Sequence, residues 1–329
     1  NHDGVATILA TGGNAMVKSA YSCGKPALGV GAGNVPAYVE KTANVKQAAY
    51  DIVLSKSFDN GMVCASEQAA IVDKEIYKEF KDELVSYHAY IVNSKEKALL
   101  EEFCFGSKAF SENCAGAKLN NEIVGKPATW IAEQAGFTVP EETNILVAEV
   151  SEVGLNEPLT REKLSPVLAL LKSETTEDGI QKAAQMVEFF GLGHSAAIHT
   201  QNQELANEFG RQVKAIRVIW NSPSTFGGIG DVYNAFIPSL TLGCGSYGRN
   251  SVGGNVGALN LLNIKTVGRR RNNMQWFKVP SKIYFERDSI QYLKTMADVE
   301  RVMIVTDESM MKLGFTQRTI DQLEARQYK

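Results

Sequence analysis

The sequence lacks the features that mark membrane, nucleic-acid and metal-binding proteins. No uninterrupted apolar run approaches the roughly eighteen residues that a membrane-spanning helix needs. With 34 basic and 37 acidic residues the formal charge is −3, which disfavours binding to nucleic acid or to an anionic membrane surface. The 4 histidines show no HExxH or His-rich spacing, so no metal site is evident. Chemistry on small molecules fits this composition better.

Cysteine is also scarce, with 5 residues in a chain of 329 and no CxxC pair. An odd number, wide spacing and no signal peptide ahead of them indicate a reducing environment, so we predict a cytoplasmic protein. A free cysteine is most often a small buried apolar residue, and packing is therefore the alternative role for each of them. The cysteines are Cys23, Cys64, Cys104, Cys114 and Cys244.

Short apolar runs alternate with amphipathic stretches from residue 5 to about residue 222. This alternation predicts an α/β fold with parallel strands, because helical crossovers join parallel strands. The stretch 44–58 predicts a helix with Asn44 as its N-cap. Glycine, serine and asparagine dominate 223–260, which predicts loops. The run "RVMIVTD" (301–307) predicts a strand, and the length of the chain suggests two folding units.

One cysteine differs from the others in its surroundings. Cys64 lies in "FDNGMVCASEQ" (58–68), between the turn signal Asp-Asn-Gly and a predicted strand. A backbone turn can present a thiol at such an edge. A thiol with a pKa of about 8.5 becomes a thiolate only with help from a helix N-terminus, a cation or a base. Cys64 is therefore the candidate nucleophile, and Cys244 in "LGCGS" is a weaker one.

Four segments, in order, resemble the aldehyde dehydrogenase superfamily. "FDNGMVC" is similar to its F-x-x-G-Q-x-C nucleophile segment, with Met62 in place of the glutamine. "ATGG" (10–13), "EKLSPVLAL" (162–170) and "FFGLGHSAAIHT" (189–200) resemble its TGS turn, its E-x-F-G-P segment and its Y-G-L-A strand. The likeness is greatest to the CoA-acylating branch and, within it, to the bifunctional aldehyde-alcohol dehydrogenases. It implies an aldehyde dehydrogenase-like fold of three-layer domains with parallel sheets.

The resemblance also implies an order of domains. It assigns 1–57 to the later part of an NAD-binding Rossmann-like domain, incomplete at its N-terminus, and 58–264 to a catalytic domain with glycine-rich C-terminal loops. It assigns 265–285 to a linker and 286–329 to the truncated start of an iron-dependent alcohol dehydrogenase domain. The iron ligands and an oxyanion-binding asparagine would then lie outside this chain.

The activity implied by the resemblance is that of a CoA-acylating, NAD-dependent acetaldehyde dehydrogenase of fermentative ethanol metabolism. NAD(H) would be the cofactor and CoA a co-substrate, with acetyl-CoA and acetaldehyde interconverted through a thioester on Cys64. Val30 aligns with a glutamate that activates water in the hydrolytic branch. An apolar side chain cannot accept a proton, so the acyl-cysteine would survive for CoA. The alternatives are a non-acylating aldehyde dehydrogenase and a structural oligomerisation segment that is inactive alone.

The resemblance gives roles to five further residues. His194 would act near the thiol as a base for CoA or an acid for the leaving thiolate, with a packed histidine as the alternative. Glu162 would bind the nicotinamide ribose and Leu164 would pack near the ring, whereas residue type alone suggests a solvated glutamate. Gly12 and Gly13 would let the cofactor approach a helix start, or would simply form a turn. We expect small-molecule substrates, no nucleic-acid or membrane partner, and a homo-oligomer that could form a helical filament.

Overall fold

The computed structural model describes residues 2–106, 118–270, 277–297, 299 and 301–325. The chain divides into two compact units, Asn1–Asn263 and Ile264–Lys329. Cys114 lies outside the described residues. No helix within the described ranges is both long and apolar enough to cross a bilayer.

The first unit contains most of the regular structure. Its helices are α1 (Asn14–Tyr21), α2 (Val45–Ser57), α3 (Tyr77–Ser86), α4 (Ser94–Phe105), α5 (Ala128–Ala135), α6 (Thr176–Glu188), α7 (Gln203–Gln212) and α8 (Ser224–Ile229). Its strands are β1 (Ile8–Thr11), β2 (Ala27–Val30), β3 (Val35–Val39), β4 (Glu67–Asp73), β5 (Ala89–Ile91), β6 (Ile145–Glu149), β7 (Val167–Ser173), β8 (Gly193–His199), β9 (Ala215–Trp220), β10 (Leu242–Cys244) and β11 (Gly253–Asn255).

A seven-stranded sheet with the order β5-β6-β7-β4-β3-β8-β9 forms the centre of this unit. Every neighbouring pair in it is parallel. Strands β3, β4 and β8 are buried along their whole length, as expected when helices cover both faces of a parallel sheet. Two apolar clusters pack against this sheet, one around Leu146 and Phe209 and the other around Ile52 and Phe80. The predicted α/β class with a parallel sheet is confirmed.

Two smaller sheets accompany the large one. Strands β1 and β2 form a parallel pair, and β10 and β11 form an antiparallel pair. Strand β3, although it precedes residue 58, pairs with β4 and β8 of the large sheet. The predicted division into domains remains a prediction, and residues 271–276 of its linker lie outside the described residues.

The structure confirms one local prediction and corrects two others. Asn44 caps α2 by accepting a hydrogen bond of 3.1 Å from the backbone N–H of Gln47. The predicted loop 223–260 in fact contains α8, β10 and β11. The predicted strand at 301–307 is wrong, because the described residues there form no ladder and Met303 and Val305 are 86% and 85% exposed. An apolar run becomes a strand only when another strand pairs with its backbone.

The second unit is mainly irregular within its described residues. Its helices are α9 (Glu308–Lys312), capped by Asp307, and α10 (Phe315–Glu324). A 3-10 helix, Ser289–Thr295, precedes them.

Candidate active site

Cys64 follows a tight chain reversal at the start of β4. The 3-10 helix Phe58–Gly61 ends in three residues with positive φ: Asp59 at 49°, Asn60 at 48° and Gly61 at 69°. A side chain on Gly61 would place its Cβ 2.5 Å from the carbonyl oxygen of Ser165, so only glycine fits this position. The Asp-Asn-Gly sequence therefore forms the turn from which Cys64 emerges.

Cys64 lines a cavity of about 350 Å³ in the first unit. Glu162 and Leu164 line the same cavity, together with Gly12 and Gly13 at the start of α1. Five of the six predicted site residues therefore meet around one space, although they come from three distant segments. His194 is not among the lining residues. The remaining lining is formed by Thr11, Gly31, Ala32, Asp59, Met62, Val63 and Leu240.

The Cys64 thiol is partly buried and is neutral near neutral pH. Burial, and after it the carboxylate of Glu162, raise its pKa to about 12 against the opposing effect of the Arg217 guanidinium. Arg217 therefore supplies the cation that a thiolate needs, but it lowers the pKa of Cys64 by less than burial and Glu162 raise it. Ionisation of Cys64 requires a change in these surroundings.

The carboxyl group of Glu162 lies in the cavity and is largely shielded from solvent, so Glu162 is not the solvated surface glutamate that its residue type suggests. Its Oε1 accepts a hydrogen bond of 3.0 Å from the backbone N–H of Gly33. Burial raises its pKa to about 7, against the Gly33 N–H and the charges of Lys56 and Lys163. The carboxylates on the cavity lining are thus those of Glu162 and Asp59, whereas Val30 is fully buried and lies outside that lining.

Two fully buried lysines lie behind Glu162. The Nζ of Lys163 donates to the carbonyl oxygens of Gln68 at 3.1 Å, Leu159 at 2.5 Å and Arg161 at 2.8 Å. Burial lowers the pKa of Lys163 well below its ordinary value. The bond to Gln68 connects the Glu162 segment to β4, the strand that begins just after Cys64, and the other two brace that segment internally. They were missed in the sequence, where Lys163 looks like a surface neighbour of Glu162.

Lys56 is the second of these lysines. Its Nζ lies 3.5 Å from Ser66 Oγ and 3.3 Å from Gln68 Oε1, and burial lowers its pKa to about 7. A signal for its burial does exist in the sequence, because Lys56 follows Ile52 by four residues on the apolar face of α2.

Glu67 is a buried carboxyl group next to these lysines. Its Oε1 accepts a hydrogen bond of 2.8 Å from the backbone N–H of Ser224, the first residue of α8. Burial raises its pKa to about 7. Glu67 thereby fixes the start of the predicted loop region against β4.

His194 lies at the start of β8 and is fully buried. Its Nδ1 is 3.0 Å from Ser195 Oγ, and burial together with Arg217 lowers its pKa to about 3. Gly33 separates its ring from Cys64: a Cβ on Gly33 would clash with the carbonyl oxygen of Cys64 and lie 3.0 Å from His194 Cγ. His194 is therefore close to the backbone of the Cys64 turn, and it is neutral.

Arg217 on β9 is a site residue that the sequence did not reveal. It is 3% exposed and donates from Nε to Ser195 Oγ at 3.2 Å, and from its two terminal nitrogens to the carbonyl oxygens of Gly243 at 2.9 Å and Leu242 at 3.0 Å. No ion pair among the described residues includes it. Residue type alone suggests a solvent-facing arginine, but Arg217 lies on the buried face of β9 with Ala215 and Ile219. The carbonyl oxygens of the glycine-rich segment then accept the hydrogen bonds that its burial requires.

Cys244, the weaker candidate nucleophile, lies apart from the Cys64 cavity. It is 2% exposed, borders a separate cavity of about 260 Å³, and burial raises its pKa to about 11. The two cavities share Gly31 and Ala32. Within the ranges that the structure describes, no cluster of metal-ligating side chains occurs.

Comparison with known proteins adds independent information. A profile of the aldehyde dehydrogenase family matches residues 1–231. The aldehyde-alcohol dehydrogenase of Streptococcus pneumoniae is 80% identical over 329 residues, which is 100% of this chain and 37% of that protein. The chain thus spans little more than a third of the length of this relative.

Solved structures agree with the sequence relatives. An acetylating aldehyde dehydrogenase from Geobacillus thermoglucosidasius is similar with a TM-score of 0.78 and 41% identity, over 84% of this chain and 59% of that one. A propionaldehyde dehydrogenase from Rhodopseudomonas palustris, with bound CoA and an acylated cysteine, has a TM-score of 0.65 and 28% identity. That match covers 77% of this chain and 54% of the other.

Proposed function

Because this chain belongs to the aldehyde dehydrogenase family, we propose that it carries the cysteine nucleophile of a CoA-acylating, NAD-dependent acetaldehyde dehydrogenase. The observation that carries the proposal is the meeting of Cys64 with Glu162 and the Gly12–Gly13 turn around one cavity. A similar protein of known structure holds CoA and an acylated cysteine, which supports a thioester at Cys64. Val30 occupies the position that the resemblance gives to the water-activating glutamate and offers no proton acceptor there, which supports transfer to CoA over transfer to water.

The chemistry begins at Cys64. Its sulfur attacks the carbonyl carbon of acetyl-CoA, the bond from that carbon to the CoA sulfur breaks, and an acetyl thioester remains on the enzyme. NADH, when bound, supplies the hydride that reduces this thioester. Collapse of the resulting thiohemiacetal releases acetaldehyde and returns the Cys64 thiol. The backbone N–H of Cys64 would be one donor to the oxyanion at each addition step.

Parts of the cavity lining support a dinucleotide site. Gly13 occupies the N-cap position of α1 without a side-chain cap, so the first N–H groups of α1 can meet a phosphate. Glu162 would bind the ribose hydroxyls, and Leu164, held at a φ of 48°, would pack beside the ring. A neutral Glu162, which its raised pKa permits, also removes the charge that opposes a thiolate at Cys64.

Further parts of the prediction rest on the family alone. They are the correspondence of 286–329 to the start of an alcohol dehydrogenase domain, whose iron ligands would lie outside this chain, and a homo-oligomer or filament. The cytoplasm is proposed from the scarce, widely spaced cysteines. The profile match ends at residue 231 while the Streptococcus relative matches the whole chain, which supports the first of these.

The direct test is acylation. Acetyl-CoA is incubated with a protein of the Streptococcus relative's full length in which this chain replaces the corresponding segment. Peptide mass spectrometry should then show one acetyl group on Cys64 that hydroxylamine removes. The Cys64→Ser variant should lose that label, and Cys104→Ser, which alters a fully buried thiol, should keep it. Acetylation elsewhere, with Cys64 unmodified, would contradict the proposal.

Turnover is tested in a protein of the relative's full length. This chain would replace the corresponding segment of the Streptococcus enzyme, and formation of acetaldehyde from acetyl-CoA and NADH would be measured. We expect activity that is lost with Cys64→Ser. Near-normal activity in that variant would overturn the proposal, and acid formation without CoA would favour the hydrolytic alternative.

A further inference from the structure

A row of hydrogen bonds connects Arg217 to His194 through one hydroxyl group. Arg217 Nε donates to Ser195 Oγ at 3.2 Å, and Ser195 Oγ lies 3.0 Å from His194 Nδ1. All three side chains are buried. We propose that Arg217 and Ser195 are positioning residues that hold His194 as the neutral tautomer with its proton on Nε2. His194 then serves the ligand as a hydrogen-bond donor and not as a general base.

The position of the His194 ring proton follows from which neighbouring groups can donate a hydrogen bond and which can accept one. Arginine has only donors, so Ser195 Oγ must accept from Arg217 and keeps its own hydrogen to donate. Among the described residues, the remaining partner within hydrogen-bond distance of that hydroxyl is His194 Nδ1. If Ser195 donates to Nδ1, that nitrogen is unprotonated and the ring proton is on Nε2. The opposite tautomer would leave the buried hydroxyl hydrogen of Ser195 without an acceptor.

The doubly protonated ring is disfavoured by its surroundings. An imidazolium at His194 would lie one hydroxyl away from the permanent positive charge of Arg217. No ion pair within the described ranges includes His194 or Arg217, so no carboxylate there offsets a second cation. The lowering of the His194 pKa to about 3 by burial and by Arg217 agrees with this.

The tautomer decides what His194 can do at the site. Its Nε2 is buried and has no hydrogen-bond partner among the described residues, so an N–H there is an unused donor. The ring lies near the backbone of the Cys64 turn, with Cγ and Nδ1 as its atoms closest to the position of a Cβ on Gly33. An acyl carbonyl oxygen that came within reach of Nε2 when the ligand binds would accept from this donor, which can stabilise negative charge as it develops. A base would need a free ring nitrogen, and Nδ1 is occupied by Ser195. The identity of the ligand in this inference rests on the proposed function, whereas the tautomer of His194 follows from the hydrogen bonds alone.

The tautomer can be measured on this chain without any activity. It contains 4 histidines, so ¹⁵N-histidine labelling and long-range ¹H–¹⁵N correlation spectra give few signals, and His194→Gln assigns the one of interest. We expect the pattern of a neutral ring protonated on Nε2, unchanged from about pH 5 to about pH 8. Ser195→Ala removes the donor to Nδ1, so the ¹⁵N signal of His194 Nδ1 should move away from its hydrogen-bonded value, while His199, buried on the same strand, stays the same as an internal control.

Two results would overturn the inference. One is an imidazolium or an Nδ1–H ring in the unaltered chain. The other is a His194 pattern that Ser195→Ala leaves unchanged. Arg217→Lys provides a second variant that keeps a cation in place, and it should retain the Nε2–H pattern in a folded chain.

The acyl-transfer activity of two His194 variants then shows whether His194 acts as a hydrogen-bond donor or as a general base. In the full-length chimera, His194→Gln places an amide N–H near the Nε2 position but cannot take up a proton near neutral pH. We expect it to retain roughly tenfold more acyl transfer than His194→Ala, because donation survives. Equal loss in the two variants would contradict the donor role. A chimera that is inactive with every native residue in place would count against the proposed function, whereas the spectra of this chain would still decide the tautomer.

Discussion

Glu162 and Arg217 act on the pKa of Cys64 in opposite directions, and each belongs to its own group of buried polar residues. The first group, which we call the acidic side after its two glutamates, consists of Lys56, Glu67, Glu162 and Lys163. Ionisable groups of both signs lie together in it. The arginine side consists of His194, Ser195 and Arg217, where a single cation has only neutral hydrogen-bond partners. Glu162 raises the pKa of the thiol and Arg217 lowers it. In the chain alone, burial and the acidic side prevail.

The comparison indicates how the thiol could be activated. On the acidic side, the charge of Glu162 can be removed by a proton or redirected by a ligand, since its pKa is about 7. On the arginine side the charge is permanent and held in place by carbonyl oxygens. One side is therefore adjustable and the other fixed, so that a change at Glu162 moves the thiol toward the thiolate, while burial continues to favour the neutral form. The following predictions test that asymmetry.

Of the four variants, Lys163→Met should have the largest effect, which is a loss of folding stability. The variant leaves three buried carbonyl oxygens without their shared donor, so we expect the free energy of unfolding to fall by about 3 kcal/mol. Urea denaturation measures it. The matched control is Lys74→Met, which removes an exposed ion pair of 3.4 Å with Glu174 and should cost under about 1 kcal/mol. Similar losses in the two variants would show that Lys163 is not an anchor of the acidic side.

Glu162→Gln should lower the pKa of Cys64. The amide keeps the size of the side chain and removes the negative charge that opposes the thiolate. We expect a fall of about one pKa unit, so that alkylation of Cys64 by iodoacetamide below that pKa is about tenfold faster. Peptide mass spectrometry follows Cys64 alone. Glu174→Gln, at an exposed glutamate, should leave the rate unchanged; a slower reaction with Glu162→Gln would reverse the assigned sign.

Glu67→Gln should change how stability depends on pH. In the folded chain burial raises the pKa of Glu67 to about 7, so between its ordinary value and 7 the folded state holds a proton that the unfolded state has lost. The stability that Glu67 contributes is complete at acidic pH and is lost as the pH rises through 7. Relative to the unaltered chain, the variant should therefore gain about 1 kcal/mol of stability per pH unit between about pH 5 and about pH 7. Parallel curves of unfolding free energy against pH would contradict this.

Arg217→Gln should have the smallest effect on the thiol, with the opposite sign to Glu162→Gln. Loss of the cation raises the pKa of Cys64, and we expect alkylation to slow about threefold. Arg211→Gln is the matched control, because it removes an exposed arginine paired with Glu208. If Arg217→Gln and Glu162→Gln changed the rate in the same direction, the two sides would not oppose each other.

The sequence by itself determined the features that depend on near neighbours. Apolar periodicity gave the parallel α/β class, Asn44 gave the start of α2, and Asp-Asn-Gly gave the turn before Cys64, because propensity, capping and turn geometry involve residues a few positions apart. The same local logic failed at 301–307, where no strand in the described part of the chain pairs with a strand-like run.

Only the tertiary structure decided which charges are buried around the thiol. Lys163 finds its partner Gln68 at a separation of 95 residues, and Glu67 finds Ser224 at a separation of 157. A lysine, a glutamate or an arginine has the same local preferences on a surface as in a core. What separates the two cases is the desolvation of the charge and the hydrogen bonds offered by distant segments, and both exist only once the chain has folded.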